Sequence, residues 1–265
     1  MAPSTFKKLQ DRHVLVIGGT SGIGYAVAEG ALADGARVTV ASSTQARIDT
    51  AVRTLAAEYG PAGAVQRVQG VRCDLASGDV EARLEALFVA AVAGHGGRPV
   101  DHVVYTAANG LAIGPLADVT RDSILAGAQM RMFVPILLAK VAQRHLPKAS
   151  TSSLTFTSGQ ATELPPPDWS VVVFFTGGTE ALTKGLAIDM APVRVNTVLP
   201  GLVKTDLWKF LPDEQRDQFF ADMEKRLPVG AMGRPEDVAE AYLWLMKDRF
   251  VTGSMAHTNG GALII

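Results

Sequence analysis

Cysteine is nearly absent from these 265 residues: Cys73 stands alone, so no internal disulfide can form. A reducing compartment is expected, and Cys73 reads as a small residue at the end of a buried strand. An excess of either charge is missing too, with 25 basic and 26 acidic residues and a net charge of −1. That balance argues against a nucleic acid or a membrane surface as partner. No run approaches the ~18 apolar residues of a membrane span. The opening MAPSTFKKLQDRH has no apolar signal core, and the closing GGALII carries no lipidation or retention signal. A soluble, cytoplasmic protein is expected.

What is present is a globular composition, 48% apolar and 19% charged. No linker or composition break divides the chain, so residues 1–265 read as one domain. Short β-branched runs at 13–18, 37–41, 64–73, 101–107, 152–158, 193–199 and 252–258 alternate with helical patterns. The helices fall near 22–34, 45–59, 78–94, 121–146, 177–191 and 235–247, and Pro135 should bend or break the fourth. Such alternation predicts an α/β Rossmann fold, a parallel seven-stranded sheet with helices on both faces. The loops at the strands' carboxyl ends should then carry the chemistry.

The stretch VIGGTSGIG (16–24) links the first strand to the first helix. Its glycines Gly18, Gly22 and Gly24 permit a tight turn and close approach of backbone to a pyrophosphate, with the helix N-terminus facing the anion. Gly18, Thr20, Ser21 and Ile23 are the binding candidates of this loop. An acid at the end of the second strand would hold the ribose diol of NAD. This chain instead has Ser42, Ser43 and Thr44, then Arg47, and no acid until Asp49. Those hydroxyls and that cation suit a 2′-phosphate, so NADP(H) is the expected cofactor and no metal is expected. As an alternative, the same residues cap the second helix.

With these motifs in order, nearly the whole chain resembles the short-chain dehydrogenase/reductase superfamily. The resemblance implies that Asp74 and Leu75 of CDL flank the adenine. It also implies that Val203 and Thr205 of RVNTVLPGLVKTD contact the nicotinamide carboxamide. Asn109, after the fourth strand, joins the cofactor candidates, and residues 202–232 resemble the family's substrate lid. Family members are commonly tetramers, so a homo-oligomer is expected. The family's catalytic serine, Tyr-x-x-x-Lys pair and asparagine fare differently. Ser158 keeps the serine, but Val172 stands at the tyrosine, Thr176 at the lysine and Arg131 at the asparagine. Residues 165–183 contain neither tyrosine nor lysine, so no shift of alignment restores the pair.

A ketone becomes an alkoxide on reduction and needs a proton donor; an iminium becomes a neutral amine and does not. A site without the tyrosine therefore suits C=N⁺, aided by an anion and an aromatic face. Asp168 and Trp169, behind three prolines in ELPPPDWS, offer both, unless Asp168 only caps the next helix. Arg131, in an apolar helix, must find partners or water. The lid's Leu207, Trp208, Phe210, Leu211, Phe219, Phe220 and Met223 suggest a bulky, mostly apolar small-molecule substrate.

This combination resembles the fungal short-chain reductases of prenylated indole alkaloid pathways, of the malbrancheamide and paraherquamide type. Their implied activity is NADPH-dependent reduction of an iminium intermediate, in some cases with control of an intramolecular Diels-Alder closure. Their loop reads Pro-Asp-Pro-Gly-Trp; here Pro166 occupies the acid's place. Two other readings stay open, a carbonyl reductase using Ser158, water or Arg131 as donor, and a redox-silent NADP-binding isomerase or regulatory protein.

Overall fold

The computed structural model describes residues 5–59 and 67–265. Seven parallel strands form one sheet, β1 (His13–Ile17), β2 (Arg37–Ser42), β3 (Val68–Arg72), β4 (His102–Tyr105), β5 (Ser153–Thr157), β6 (Arg194–Pro200) and β7 (Met255–Thr258). Their order across the sheet is β3-β2-β1-β4-β5-β6-β7. Chain order reverses between β1 and β4, so the crevice for a ligand opens above their carboxyl ends. Strands β1 and β6 are buried along their whole length, as a sheet covered on both faces requires.

Helices α1 (Gly22–Ala33), α2 (Gln45–Tyr59) and α8 (Pro235–Lys247) cover one face, around Val27, Leu55 and Tyr242. Helices α3 (Val80–Gly94), α5 (Val134–His145) and α6 (Ser170–Asp189) cover the other, around Phe88, Leu138 and Ala187. All seven expected strands are present, although residues 64–66 of the third lie outside the described residues.

Two expectations need correction. Helix α6 starts at Ser170 rather than near 177, because the apolar SVVVFF run that reads as a lead-in is already helical. The lid contains a helix, α7 (Asp213–Arg226), that apolar periodicity does not reveal, since none of its residues is fully buried. Its charges fit a helix: Asp213 and Glu214 in the first turn, Lys225 and Arg226 in the last.

Pro135 breaks the long helix as its missing N–H dictates. Between α4 (Arg121–Ala128) and α5, residues Gln129–Phe133 form a π-helical turn, closed by the Val134 N–H donating to the Gln129 carbonyl five residues back. The Arg131 carbonyl, which a residue with an N–H at 135 would have bonded, instead accepts from Thr179 Oγ1 at 3.5 Å. By length and composition Arg121–His145 and Ser170–Asp189 are apolar enough to cross a membrane, but each lays one face on the sheet.

Candidate active site

The glycine loop is packed tightly against the loop after β4. Gly18 has φ +95°, and a Cβ there would stand 2.6 Å from the Ala107 nitrogen. A Cβ on Gly24 would strike the Gly18 carbonyl and the Thr106 hydroxyl. Both positions therefore require glycine. Ser21 caps α1 in extended geometry with no side-chain hydrogen bond, leaving the first-turn N–H groups free for an anion. The part-buried Thr20 and Ile23 flank that terminus, and Thr205 leans over it, its Cγ2 3.3 Å from where a Gly22 Cβ would be. Val203 is buried beneath, bridged to Gly233.

On the adenosine side Ser42 ends β2, and Ser43 and Arg47 are exposed. Thr20, Tyr25 and Arg47 help line an open depression of about 510 Å³. Sequence reasoning overlooked Arg72, which pairs with Ser42 in the β2–β3 register and donates through Nε to the Ser43 carbonyl at 3.1 Å. Its place at a strand end, two residues before Asp74, was the available signal. Asp74 accepts from the Ala76 N–H, and the carbonyl of buried Leu75 accepts from Gln129 Nε2 at 3.0 Å. A glycine cradle, an uncapped helix terminus and two cations beside serine hydroxyls fit a phosphorylated dinucleotide.

The positions of the missing acid and base are closed. Val172 is 2% exposed and belongs to the packed interior. Thr176 is buried; its hydroxyl donates to the Val173 carbonyl at 3.1 Å and accepts from Thr162 Oγ1 at 2.9 Å. Ser158 lies beside it, donating to the Thr176 carbonyl at 3.2 Å. No other tyrosine has moved in. Tyr105 is buried and donates to the Met130 carbonyl at 2.7 Å, and burial pushes its pKa up. Tyr242 is buried against Thr157, Tyr59 bonds Glu29, and Tyr25 lies at the adenosine end.

Arg131 sits in the π-turn. Its Nη2 donates to the Asn109 carbonyl at 2.9 Å, while Nε has no partner. Burial depresses its pKa from the ordinary value, with Tyr105 opposing the shift, but a guanidinium stays protonated. Asn109 donates through Nδ2 to the Ala126 carbonyl, and its Oδ1 is also unpaired. An incompletely answered cation and amide thus stand together where strand β4 ends.

In the loop after β5, Trp169 is half-buried at the N-cap of α6, and Asp168 before it is exposed. Asp168 is not the N-cap, so the capping alternative fails. In the lid, Trp208 is buried, donates through Nε1 to the Val203 carbonyl at 2.9 Å and packs with Phe210, Phe219 and Phe220. Met223 packs with Leu227 and Met232. Much of the lid's apolar surface is therefore spent on its own packing, leaving Leu207 and Phe210 exposed. Cys73 is buried and its thiol pushed up to about 11, chiefly by desolvation, so it is inert.

Comparison with known proteins agrees with this geometry. Residues 5–265 match the family described as an SDR-like Rossmann domain. The short-chain dehydrogenase/reductase fsr5 of Gibberella fujikuroi is 40% identical, covering 97% of this chain and 96% of its own. MalC of Malbranchea aurantiaca, solved as a reductase/Diels-Alderase, is 36% identical with a TM-score of 0.90, over 99% of this chain and all of its own. An NADPH-bound short-chain oxidoreductase of Pseudomonas aeruginosa, described as having an atypical catalytic center, is 25% identical with a TM-score of 0.84. It covers 96% of this chain and 98% of its own.

Proposed function

Since this chain belongs to the short-chain dehydrogenase/reductase family, we propose that it is an NADPH-dependent reductase of a bulky iminium-type intermediate in fungal indole alkaloid biosynthesis. We further propose that the same pocket steers an intramolecular Diels-Alder closure. The observation that carries the reading is the closed position of the acid: Val172 is packed in the core, and every tyrosine hydroxyl near the sheet is already bonded.

NADPH, when bound, supplies the hydride. Gly18, Gly24 and the α1 terminus hold its pyrophosphate, while Ser42, Ser43, Arg47 and Arg72 face its 2′-phosphate. The Pseudomonas relative supports that choice, since NADPH binding there accompanies an atypical centre. Asp74 and Leu75 would border its adenine, Val203 and Thr205 its nicotinamide, and Asn109 and Thr176 the ribose on the nicotinamide side. Arg131 directs its free guanidinium edge at an amide oxygen of the substrate, and Ser158 orients the reacting group. Trp169 covers the cation and excludes water; Asp168 belongs to the same loop. The likeness to MalC, a reductase/Diels-Alderase, supports both the reduction and the cyclisation.

A cytoplasmic homo-oligomer, a tetramer by the family resemblance, is part of the same proposal. Phe133 and Ile136 beside the π-turn, with Phe174 and Ile188 on α6, are exposed apolar side chains that a second copy would cover. The functional test compares N-methyl-3,4-dihydroisoquinolinium with 1-tetralone as substrates. Turnover of the iminium alone, faster with NADPH than NADH, is expected. Equal or better turnover of the ketone contradicts the proposal.

A further inference from the structure

Two non-glycine residues among those described have left-handed backbone, Asp11 and Asp168. Asp11 shows what an ordinary surface turn does with its carboxylate. It pairs with Arg67 at 3.0 Å and accepts from Gln10 at 3.3 Å. Asp168, at φ +65°, differs: its side chain is exposed, and the group engaged is its backbone carbonyl, which accepts from the Gly114 N–H at 3.0 Å. That bond ties the proline loop to the loop after β4. The two loops follow the neighbouring strands β4 and β5.

The local sequence explains the turn. Pro165, Pro166 and Pro167 hold φ near −65° and keep the chain extended, and α6 begins only at Ser170. The direction must reverse within one or two residues. Proline followed by a residue of positive φ is the arrangement of a type II turn, where glycine or asparagine is preferred and aspartate is tolerated. Trp169 comes next, at φ −101° and ψ 11°, and its carbonyl receives the Val173 N–H as α6 starts. The angle at residue 168 thus sets where the indole leaves the loop. The carboxylate has little else to offer, because an ion pair formed in solvent is worth at most about fivefold in an equilibrium.

We propose that Asp168 is a positioning residue, acting through its left-handed backbone to aim Trp169 into the crevice, and that its carboxylate takes no part in the reaction. This rests on the reading above that Trp169 lines the substrate site. The test uses the full-length protein with NADPH, carrying D168G, D168N or D168V. Glycine and asparagine accept positive φ without the carboxylate; valine does not. Two readouts are taken: single-turnover reduction of N-methyl-3,4-dihydroisoquinolinium, and the fluorine resonance of Trp169 in protein labelled with 5-fluorotryptophan, assigned by its loss in W169F.

D168G and D168N should stay within about threefold of the wild-type rate with the Trp169 resonance in place, whereas D168V loses about tenfold and shifts it. Loss in D168G and D168N equal to that in D168V, or a tenfold loss in either with the resonance unmoved, would overturn the proposal and make the carboxylate a participant. The resonance decides the backbone role without any substrate. A normal rate in W169F would instead sink the functional reading while leaving the turn intact.

Discussion

At the amino-terminal edge of the sheet, Asp101 accepts from the Arg12 guanidinium at 2.8 Å and from the His13 N–H at 2.9 Å. His13 meets Thr39 at 2.8 Å, Gln69 bonds both Thr39 and the Ala91 carbonyl, and His102 meets Ser153 at 2.9 Å. At the carboxyl edge, Arg131 makes one hydrogen bond and leaves Nε unpaired, Asn109 leaves Oδ1 unpaired, and Asp168 holds a left-handed backbone. The first edge answers most of its polar groups within the protein, with Arg37 Nε, His95 Nδ1 and Ser152 Oγ left unpaired. The second keeps donors and strain that packing alone would have removed. On the proposed function one edge serves stability and the other the reaction, and substitutions at each should separate the two.

The largest effect expected is that of acid on the amino edge. Burial lowers the pKa of His13 to about 4 and of His102 to about 3, and lowers that of His95. Unfolded, each binds a proton near pH 6.5, so the unfolded state takes up more protons below that value. Stability is therefore intact above pH 6.5 and lost as pH falls toward 4, by about 3 kcal/mol for His13 alone. Urea midpoints at pH 7.5 and 4.5 measure this, and equal midpoints contradict it. Next, Asp101→Ala leaves the His13 N–H and Arg12 without their acceptor and should cost about 2–3 kcal/mol. NADPH affinity of the folded fraction should not change.

The third effect crosses to the carboxyl edge. Arg131→Ala should lose roughly ten- to a hundredfold in rate, the worth of a desolvated charge-assisted contact, with stability changed by less than about 0.5 kcal/mol. Single-turnover rates and urea melts on one preparation decide it; a variant that merely unfolds makes Arg131 structural. The smallest effect concerns cofactor choice. Arg47→Ala and Arg72→Ala should each weaken NADPH binding about five- to tenfold and leave NADH binding unaltered, as measured by fluorescence titration.

The fold was legible because most strands are β-branched runs and most helices carry an apolar stripe. Helix α7 escaped because it rests on the surface with charged residues, and charge pattern was the only trace of it. The glycine loop was readable from spacing, and the loss of the acid from the family resemblance, which puts Val172 at the tyrosine position. Arg131 was singled out correctly as an arginine in apolar surroundings, yet its tie to the Asn109 carbonyl depends on a π-turn that sequence only hinted at through Pro135. Thr162, which bonds Thr176, is a partner that no local pattern marks, and Arg72, which reaches Ser43, is marked only by its place at a strand end. Sequence offers Asp168 as a carboxylate because it shows the side chain and hides the backbone, whose φ is +65°. The Pro-Asp-Pro-Gly-Trp loop named in the resemblance would put glycine at that place, a residue suited to positive φ.

The central claim is that the site reduces its substrate without donating a proton. Single-turnover reduction of N-methyl-3,4-dihydroisoquinolinium by saturating NADPH, followed in water and in deuterium oxide from pH 6.5 to 9, tests it most directly. The account predicts equal rates in the two solvents and no dependence on pH across that range. A slower reaction in deuterium oxide, or a rate that falls as an acid ionises, would show that a proton donor acts after all.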